Sequence, residues 1–257
     1  MDAEKLRALF DLTGRVAVIT GGTRGIGRAI AEGFVAAGAA VVVASRKADA
    51  CAETETHLKA MGGQALGVPT HVGDLAALRT LVERTAATFG RIDIVVNDAA
   101  TGLAQPLGAM TPDAWGKSFD VNLRGPVFLV QEALPYLTAS PSASVINVVS
   151  AGAFLHSPGV SMYAAAKAAM VAFTRSMAAE FAPRGVRVNA LAPGAVDTDM
   201  VRATTPDSRE RMTKASHQAR LAHPDEMVGP ALLLAADAGS FLTGQVLLVD
   251  GGLVVAR

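Results

Sequence analysis

The sequence is short of the features that mark several large functional classes. Its single cysteine, Cys51, excludes an intrachain disulfide and a cysteine-based metal cluster. Neither sign of charge prevails: 23 Lys and Arg balance 23 Asp and Glu, which removes the bulk electrostatic case for nucleic acid or an anionic membrane as partner. No apolar run reaches membrane-spanning length. The N-terminal stretch "MDAEKLRALFDLTGR" is charged throughout and lacks the apolar centre of a signal peptide, so a soluble, cytoplasmic protein is expected. The five histidines, at 57, 71, 156, 217 and 223, show neither HExxH nor another compact ligand spacing, and no metal site is expected. Only two tyrosines occur, and one of them, Tyr163, sits in "SMYAAAKAAM" with Lys167 four residues on.

What is abundant is apolar: 51% of 257 residues, enough for an extensive core. Short β-branched runs at 15–20, 40–45, 64–69, 93–97, 143–150, 186–191 and 245–250 read as strands. Helical patterns separate them near 25–37, 49–61, 75–89, 113–138, 160–182 and 225–236. Strands apolar on both faces and alternating with helices predict an α/β fold: one Rossmann-type, doubly wound parallel sheet of about seven strands. No linker or repeat divides the chain, so a single domain is expected over 1–257. The least regular segment, 194–223, mixes Thr, Pro, Asp and Arg and is expected to be a substrate lid, since ligands bind beyond the carboxyl ends of such strands.

Directly after the first strand comes "TGGTRGIGRAI", with Gly21, Gly25 and Gly27 ahead of a helix. Glycine permits the sharp turn and lets phosphate oxygens approach the backbone, where the helix N-terminus offers free N–H groups. The turn ends in Gly27-Arg28 rather than Gly-Lys-Ser/Thr, which argues against a phosphate-binding ATPase loop. At the end of the second strand, where an NAD site needs a carboxylate for the ribose 2′-hydroxyl, stand Ser45 and Arg46. A 2′-phosphate would be repelled by an acid; Arg46 and Arg24 can clamp it through charge-assisted bonds, with Lys47 a weaker third candidate. NADP(H) is therefore the expected cofactor.

The Gly-xxx-Gly-x-Gly spacing after Thr20 resembles the classical short-chain dehydrogenase/reductase family, its 3-oxoacyl-carrier-protein and carbonyl reductases in particular. The resemblance runs over nearly the whole chain: "NDAA" (97–100), "VNL" (121–123), Ser150, "YAAAK" (163–167), "NALAPG" (189–194) and "TGQVLLVDGG" (243–252) follow in order. It implies cofactor contacts from Gly21, Thr23, Arg24, Gly25, Ile26 and Gly27, from Ser45 and Arg46, and from His71 and Val72 beside adenine. It further implies contacts from Asn97, Ala99, Tyr163, Lys167, Pro193, Gly194, Val196 and Thr198. Two departures stand out. His71 replaces the usual Asp before the adenine-flanking Val, and the common Asn-Asn-Ala-Gly block reads Asn97-Asp98-Ala99-Ala100. Ala100 adds a methyl beside the expected ribose; Asp98 is given a structural hydrogen bond and no catalytic part.

Hydride transfer to a carbonyl needs a proton donor and donors for the oxyanion. A tyrosine titrates near 10, and bringing it to about 7 takes roughly 4 kcal/mol. A cation about 5 Å away supplies roughly 3 kcal/mol at an effective dielectric near 20. Lys167, one helical turn beyond Tyr163, lies on the same face. Ser150, ending the fifth strand, can orient and polarise the carbonyl, and "VVSAGAF" lacks the Gly-x-Ser-x-Gly elbow of a Ser-His-Asp hydrolase. The resemblance makes Asn122 the group that holds a water linked to the Lys167 ammonium. The catalytic set is thus Asn122, Ser150, Tyr163 and Lys167.

Gly152, Phe154, Val160, Met162 and Met200, with Ser150 and Tyr163, are expected to line a mainly apolar substrate pocket, and His156 lies nearby in sequence. The expected activity is NADPH-dependent interconversion of a ketone or 3-oxoacyl group and a secondary alcohol. An NAD(H)-preferring alcohol dehydrogenase, a non-catalytic NADP-binding regulatory protein and an epimerase or dehydratase of the same type are the alternatives. The resemblance also implies a homotetramer, with a dimer as the smaller possibility; Ala164 to Ala166 are small enough for close packing between subunits.

Overall fold

The computed structural model describes residues 1–254; the last three residues of the expected 1–257 domain lie outside the described residues. The seven apolar runs form β1 (Val16–Thr20), β2 (Ala40–Ser45), β3 (Ala65–Pro69), β4 (Ile94–Asn97), β5 (Ala143–Val148), β6 (Val186–Pro193) and β7 (Val246–Val249). They join one sheet in the order β3-β2-β1-β4-β5-β6-β7, with every neighbouring pair parallel. Every residue of β1, β4 and β5 is buried, which is why these strands show no alternation in the sequence.

Ten α-helices lie among the described residues: α1 (Ala3–Ala8), α2 (Gly25–Ala36), α3 (Ala48–Ala60), α4 (Leu75–Phe89), α5 (Pro112–Phe119), α6 (Gly125–Ala139), α7 (Ser161–Phe181), α8 (Asp199–Arg202), α9 (Pro206–Ala215) and α10 (Val228–Ala235). Ile30 and Phe34 of α2, Leu58 of α3 and Leu234 of α10 pack on one face of the sheet against Ile19, Val41, Val43 and Val96. Leu78 and Leu81 of α4, Leu129 of α6 and Phe181 of α7 pack on the other against Val18, Val42, Val95 and Val145. Each fully buried side chain of this size contributes about 1.5–3 kcal/mol against leaving it in water. The strand order reverses between β1 and β4, so the crevice at their carboxyl ends is where a ligand of such a sheet binds.

Two expectations differ from the structure. The single helix over 113–138 is interrupted: between α5 and α6 the chain makes a π-turn at Asp120–Arg124. Residue 126 would give its N–H to the Asn122 carbonyl in a regular α-helix, and Pro126 has none. Gly125 also approaches the backbone of Val72 so closely that a Cβ would lie 2.0 Å from its carbonyl oxygen. The segment 194–223 is not irregular throughout, since α8 and α9 lie within it. Thr205 caps α9, its hydroxyl accepting from the Ser208 N–H, and Pro206 occupies the first turn.

Candidate active site

β1 delivers the chain to a tight turn in which Gly21 and Gly25 adopt φ of +74° and +54°, in the left-handed region that favours glycine. A Cβ on Gly27 would lie 2.6 Å from both Asp98 Oδ2 and the Gly21 carbonyl, so this position admits glycine alone. Arg24 precedes α2 without a side-chain cap, leaving the first helical N–H groups free for an anion. Thr23 and Ile26 are half-buried in the turn, and Thr198 packs against Gly25 from the start of α8. Arg24 reaches Asp199 at 3.1 Å, while Arg46 is exposed just beyond half-buried Ser45. Glycines packed to contact, uncapped N–H groups and two exposed guanidinium groups fit an anionic dinucleotide. Pro193, buried at the end of β6, is followed by Gly194, where a Cβ would lie 2.8 Å from Asp250 Cα; Val196 is buried as well.

The neighbouring polar residues are not all aimed at this crevice. His71 is exposed, and its Nδ1 accepts from the Gly73 N–H at 3.1 Å, whereas Val72 is buried. Asn97 is 4% exposed and donates from Nδ2 to Asn147 Oδ1 at 2.9 Å; Asn147 in turn donates to Thr174 Oγ1 at 2.9 Å. That chain ties β4, β5 and α7 together through the core, so the Asn97 side chain braces the site from behind. The Ala99 N–H donates to Thr20 Oγ1 at 3.3 Å, fixing the strand after β4 against the glycine turn.

The four expected catalytic residues converge on the carboxyl ends of β4 and β5. β5 ends two residues earlier than expected, but the Val149 N–H still bonds Leu191 across to β6 before the chain turns at Ser150. Ser150 Oγ accepts from the Gly152 N–H at 3.0 Å and caps the short 3₁₀ turn Ala151–Phe154. On α7, Tyr163 is half-buried and Lys167 is buried. Lys167 Nζ lies 5.7 Å from the Tyr163 ring centroid and donates to the Val148 carbonyl at 2.6 Å. Asn122, in the π-turn, accepts at Oδ1 from the Thr101 N–H and donates from Nδ2 to the Thr101 carbonyl, both at 2.9 Å. Its carboxamide is thereby committed to Thr101, with Nδ2 also reaching Ser118 Oγ at 3.3 Å.

The electrostatics correct one expectation. Tyr163 is not brought down: burial pushes the phenol above its ordinary value, the Ser150 hydroxyl lowers it, and the Asp98 carboxylate raises it. Burial lowers the Lys167 ammonium to about 8, against the support of Asp98. Burial raises Asp98 to about 7, with Lys167 and the Gly27 N–H pulling it down. Asp98, to which the sequence reading gave no catalytic part, therefore belongs to the charge balance of the site. The signal in the sequence was the departure itself, an acid where the common block has a second Asn.

Around the opening, Phe154, Leu155 and Met200 are exposed apolar side chains, and Met200 packs over Gly102, next to Thr101. Gly152 and Val160 are half-buried, whereas Met162 is 1% exposed and belongs to the packed interior of α7 rather than the rim. His156 is exposed.

Sequence and structural comparisons agree with this arrangement. The family model described as enoyl-(acyl carrier protein) reductase matches residues 21–254. A 2-dehydro-3-deoxy-D-gluconate 5-dehydrogenase of Pseudoalteromonas atlantica is 38% identical over 95% of this chain and 97% of its own. This chain is a short-chain dehydrogenase/reductase. A 3-oxoacyl-[acyl-carrier-protein] reductase of Salmonella typhimurium is 34% identical over 93% of this short-chain dehydrogenase/reductase and 97% of its own length. The crystal structure of a gluconate 5-dehydrogenase from Burkholderia cenocepacia, in complex with NADP and tartrate, superposes with a TM-score of 0.93 at 35% identity, covering 98% of this chain and 100% of that one. The single parallel sheet and its flanking helices are those of the family.

Proposed function

We propose that the chain is an NADPH-dependent oxidoreductase that interconverts a ketone or 3-oxoacyl group and a secondary alcohol. The observation that carries this reading is the buried Lys167 ammonium beside the Tyr163 ring at the carboxyl ends of β4 and β5, with Ser150 on the same phenol. A buried ammonium is costly unless it is paired and hydrogen-bonded, and groups held at such a cost cluster at functional sites. Relatives with oxidoreductase names and a neighbour holding NADP support the class.

The glycine turn and the free N–H groups of α2 would hold the cofactor pyrophosphate, Arg24 and Arg46 its 2′-phosphate, and Val72 one face of adenine. Lys167 would bind the ribose, and Pro193, Gly194, Val196 and Thr198 the nicotinamide side. The bound nicotinamide supplies or accepts the hydride. Ser150 donates to the carbonyl oxygen and orients it. Tyr163 gives its hydroxyl proton to that oxygen as the carbonyl carbon is reduced, and takes it back in the oxidation direction. Lys167 stabilises the phenolate that forms, and a proton returns through Lys167 and a water on the Asn122 carbonyl.

A panel of ketones, 3-oxoacyl thioesters, steroids, quinones and sugars, each assayed with NADPH and NADH, tests the reading. On any accepted substrate Tyr163→Phe should lose about 10²–10⁴-fold in kcat, the worth of a general acid, with NADPH affinity kept. Unchanged turnover would remove Tyr163 from the mechanism. Tight NADPH binding with no accepted carbonyl would favour a regulatory, non-catalytic protein. For assembly, the family resemblance implies a homotetramer; the Trp115–Phe119 stack on α5, with Trp115 half exposed, and exposed Phe173 on α7 offer apolar surface for subunit contact, and light scattering after size exclusion would measure the number of copies.

A further inference from the structure

Arg24 is the single cation of the glycine turn, and its charge is already engaged. Nη1 donates to Asp199 Oδ2 at 3.1 Å. Both side chains are largely exposed, at 70% and 59%, so burial does not hold them together. What places the carboxylate is the backbone ahead of α8. Arg202 grips Asp197 through two bonds of 2.8 and 2.9 Å, and the Asp197 N–H donates to the Ala222 carbonyl at 2.9 Å. Thr198, which opens α8, accepts at its carbonyl from the Arg202 N–H at 2.8 Å, and its Cγ2 lies 3.2 Å from where a Cβ on Gly25 would stand. A pinned segment thus delivers Asp199 to the turn assigned to the cofactor.

A guanidinium has five N–H donors, so Arg24 can meet a phosphate while it still faces Asp199. The two anions would then stand across one cation, and like charges so placed disfavour each other. The same acid begins the turn that carries Met200, whose Sδ lies 3.4 Å from where a Cβ on Gly102 would stand at the substrate rim.

We propose that Asp199 is a specificity-determining residue for the cofactor: it competes with the 2′-phosphate for Arg24, which restrains the preference for NADP(H) over NAD(H), and phosphate binding in turn loosens α8 from the glycine turn. The role rests on Arg24 belonging to the phosphate clamp. The two effects are one coupling seen from its two sides, since what the carboxylate costs the phosphate, the phosphate costs the carboxylate. Weakness suits the pair to this use, because an exposed ion pair can be exchanged without disturbing the fold.

Fluorescence titration of the full chain with NADPH and with NADH tests the competition. Asp199→Asn keeps the side-chain shape and removes the charge; it should tighten NADPH by about 2–5-fold, the scale of an exposed ion pair, and leave NADH unchanged. The gain should vanish when Arg24→Ala is combined with it. In the unaltered chain, hydrogen exchange of the amides at 199–203 should be faster with saturating NADPH than with saturating NADH, a readout that needs no variant. NADPH affinity that is unchanged or weakened in Asp199→Asn, or equal exchange with the two cofactors, would overturn the competition. If Arg24→Ala alone leaves NADPH affinity intact, the clamp assignment fails and this proposal with it; if Arg24→Ala weakens NADPH while Asp199→Asn does nothing, the clamp stands and the competition alone is wrong.

Discussion

Asn122 and Thr101 exchange two hydrogen bonds of 2.9 Å, the amide oxygen and nitrogen of one side chain pairing with the N–H and carbonyl of one backbone residue. The pairing joins the π-turn between α5 and α6 to the segment after β4, and Asn122 also donates to Ser118 Oγ at 3.3 Å. Thr101 neighbours Gly102, over which Met200 packs, so the same contact holds the rim on which a substrate would rest.

Asn122→Ala should therefore be a stability variant as well as an activity variant. It strips the Thr101 N–H and carbonyl of partners in a part-buried setting, at a cost of about 1–3 kcal/mol. For a chain of this size each 1 kcal/mol lowers Tm by roughly 2–4 °C. Calorimetry should show that fall, and the variant should also lose kcat, because the turn carrying the Asn122 carbonyl is no longer anchored. A variant with normal Tm and depressed kcat would place the carboxamide in the chemistry instead of in the anchor.

This pairing also shows which parts of the molecule the sequence made legible. β1, β4 and β5 announce themselves because strands buried on both faces must be continuously apolar, and the order of strands and helices then restricts the topology. The glycine turn is readable since Gly27 is dictated by what lies against it. The π-turn was hidden in an apolar helical pattern, although Pro126, four residues after Asn122, marks the missing N–H. α9 was hidden because its residues are polar and its apolar face is slight, even though Thr205-Pro206 is a helix-start pattern. Asp98 and Lys167 lie 69 positions apart in the sequence, and nothing in their local patterns brings them together. The sheet does that, because β4 lies next to β5 and Lys167 of α7 reaches back to Val148 of β5.

Arg46 offers the cleanest test of cofactor choice. It stands exposed directly after β2, where an acid would accept the 2′-hydroxyl of NAD. A charge-assisted bond contributes about 1.5–3 kcal/mol, so Arg46→Ala should weaken NADPH roughly 10–100-fold in a fluorescence titration and leave NADH within a factor of two. Arg24→Ala should act in the same sense with a smaller effect, since Arg24 already shares its charge with Asp199. Equal losses for the two cofactors would refute the phosphate clamp.

Ser150 sets the last prediction, through the pH at which Tyr163 ionises. Burial raises the Tyr163 phenol, and the Ser150 hydroxyl works in the opposite direction by stabilising the phenolate. In the proposed mechanism that phenolate is the base for oxidation of an alcohol, so the rate should rise as pH climbs through the Tyr163 titration. Ser150→Ala removes a lowering influence; the titration therefore moves up and the rising limb of kcat/KM shifts to higher pH. A hydrogen bond to a charged oxygen contributes about 1.5–3 kcal/mol, and 1.36 kcal/mol corresponds to one unit, so the shift should be about 1–2 units. In the proposed mechanism the same hydroxyl also donates to the developing oxyanion, so the plateau itself should fall by about 10²–10³-fold. A lowered plateau with the limb in place would assign Ser150 to the substrate oxygen alone, whereas a shifted limb shows that it sets the base as well. Measuring kcat/KM for one accepted alcohol from pH 6 to 11 at saturating NADP, in the parent chain and in the variant, separates the two.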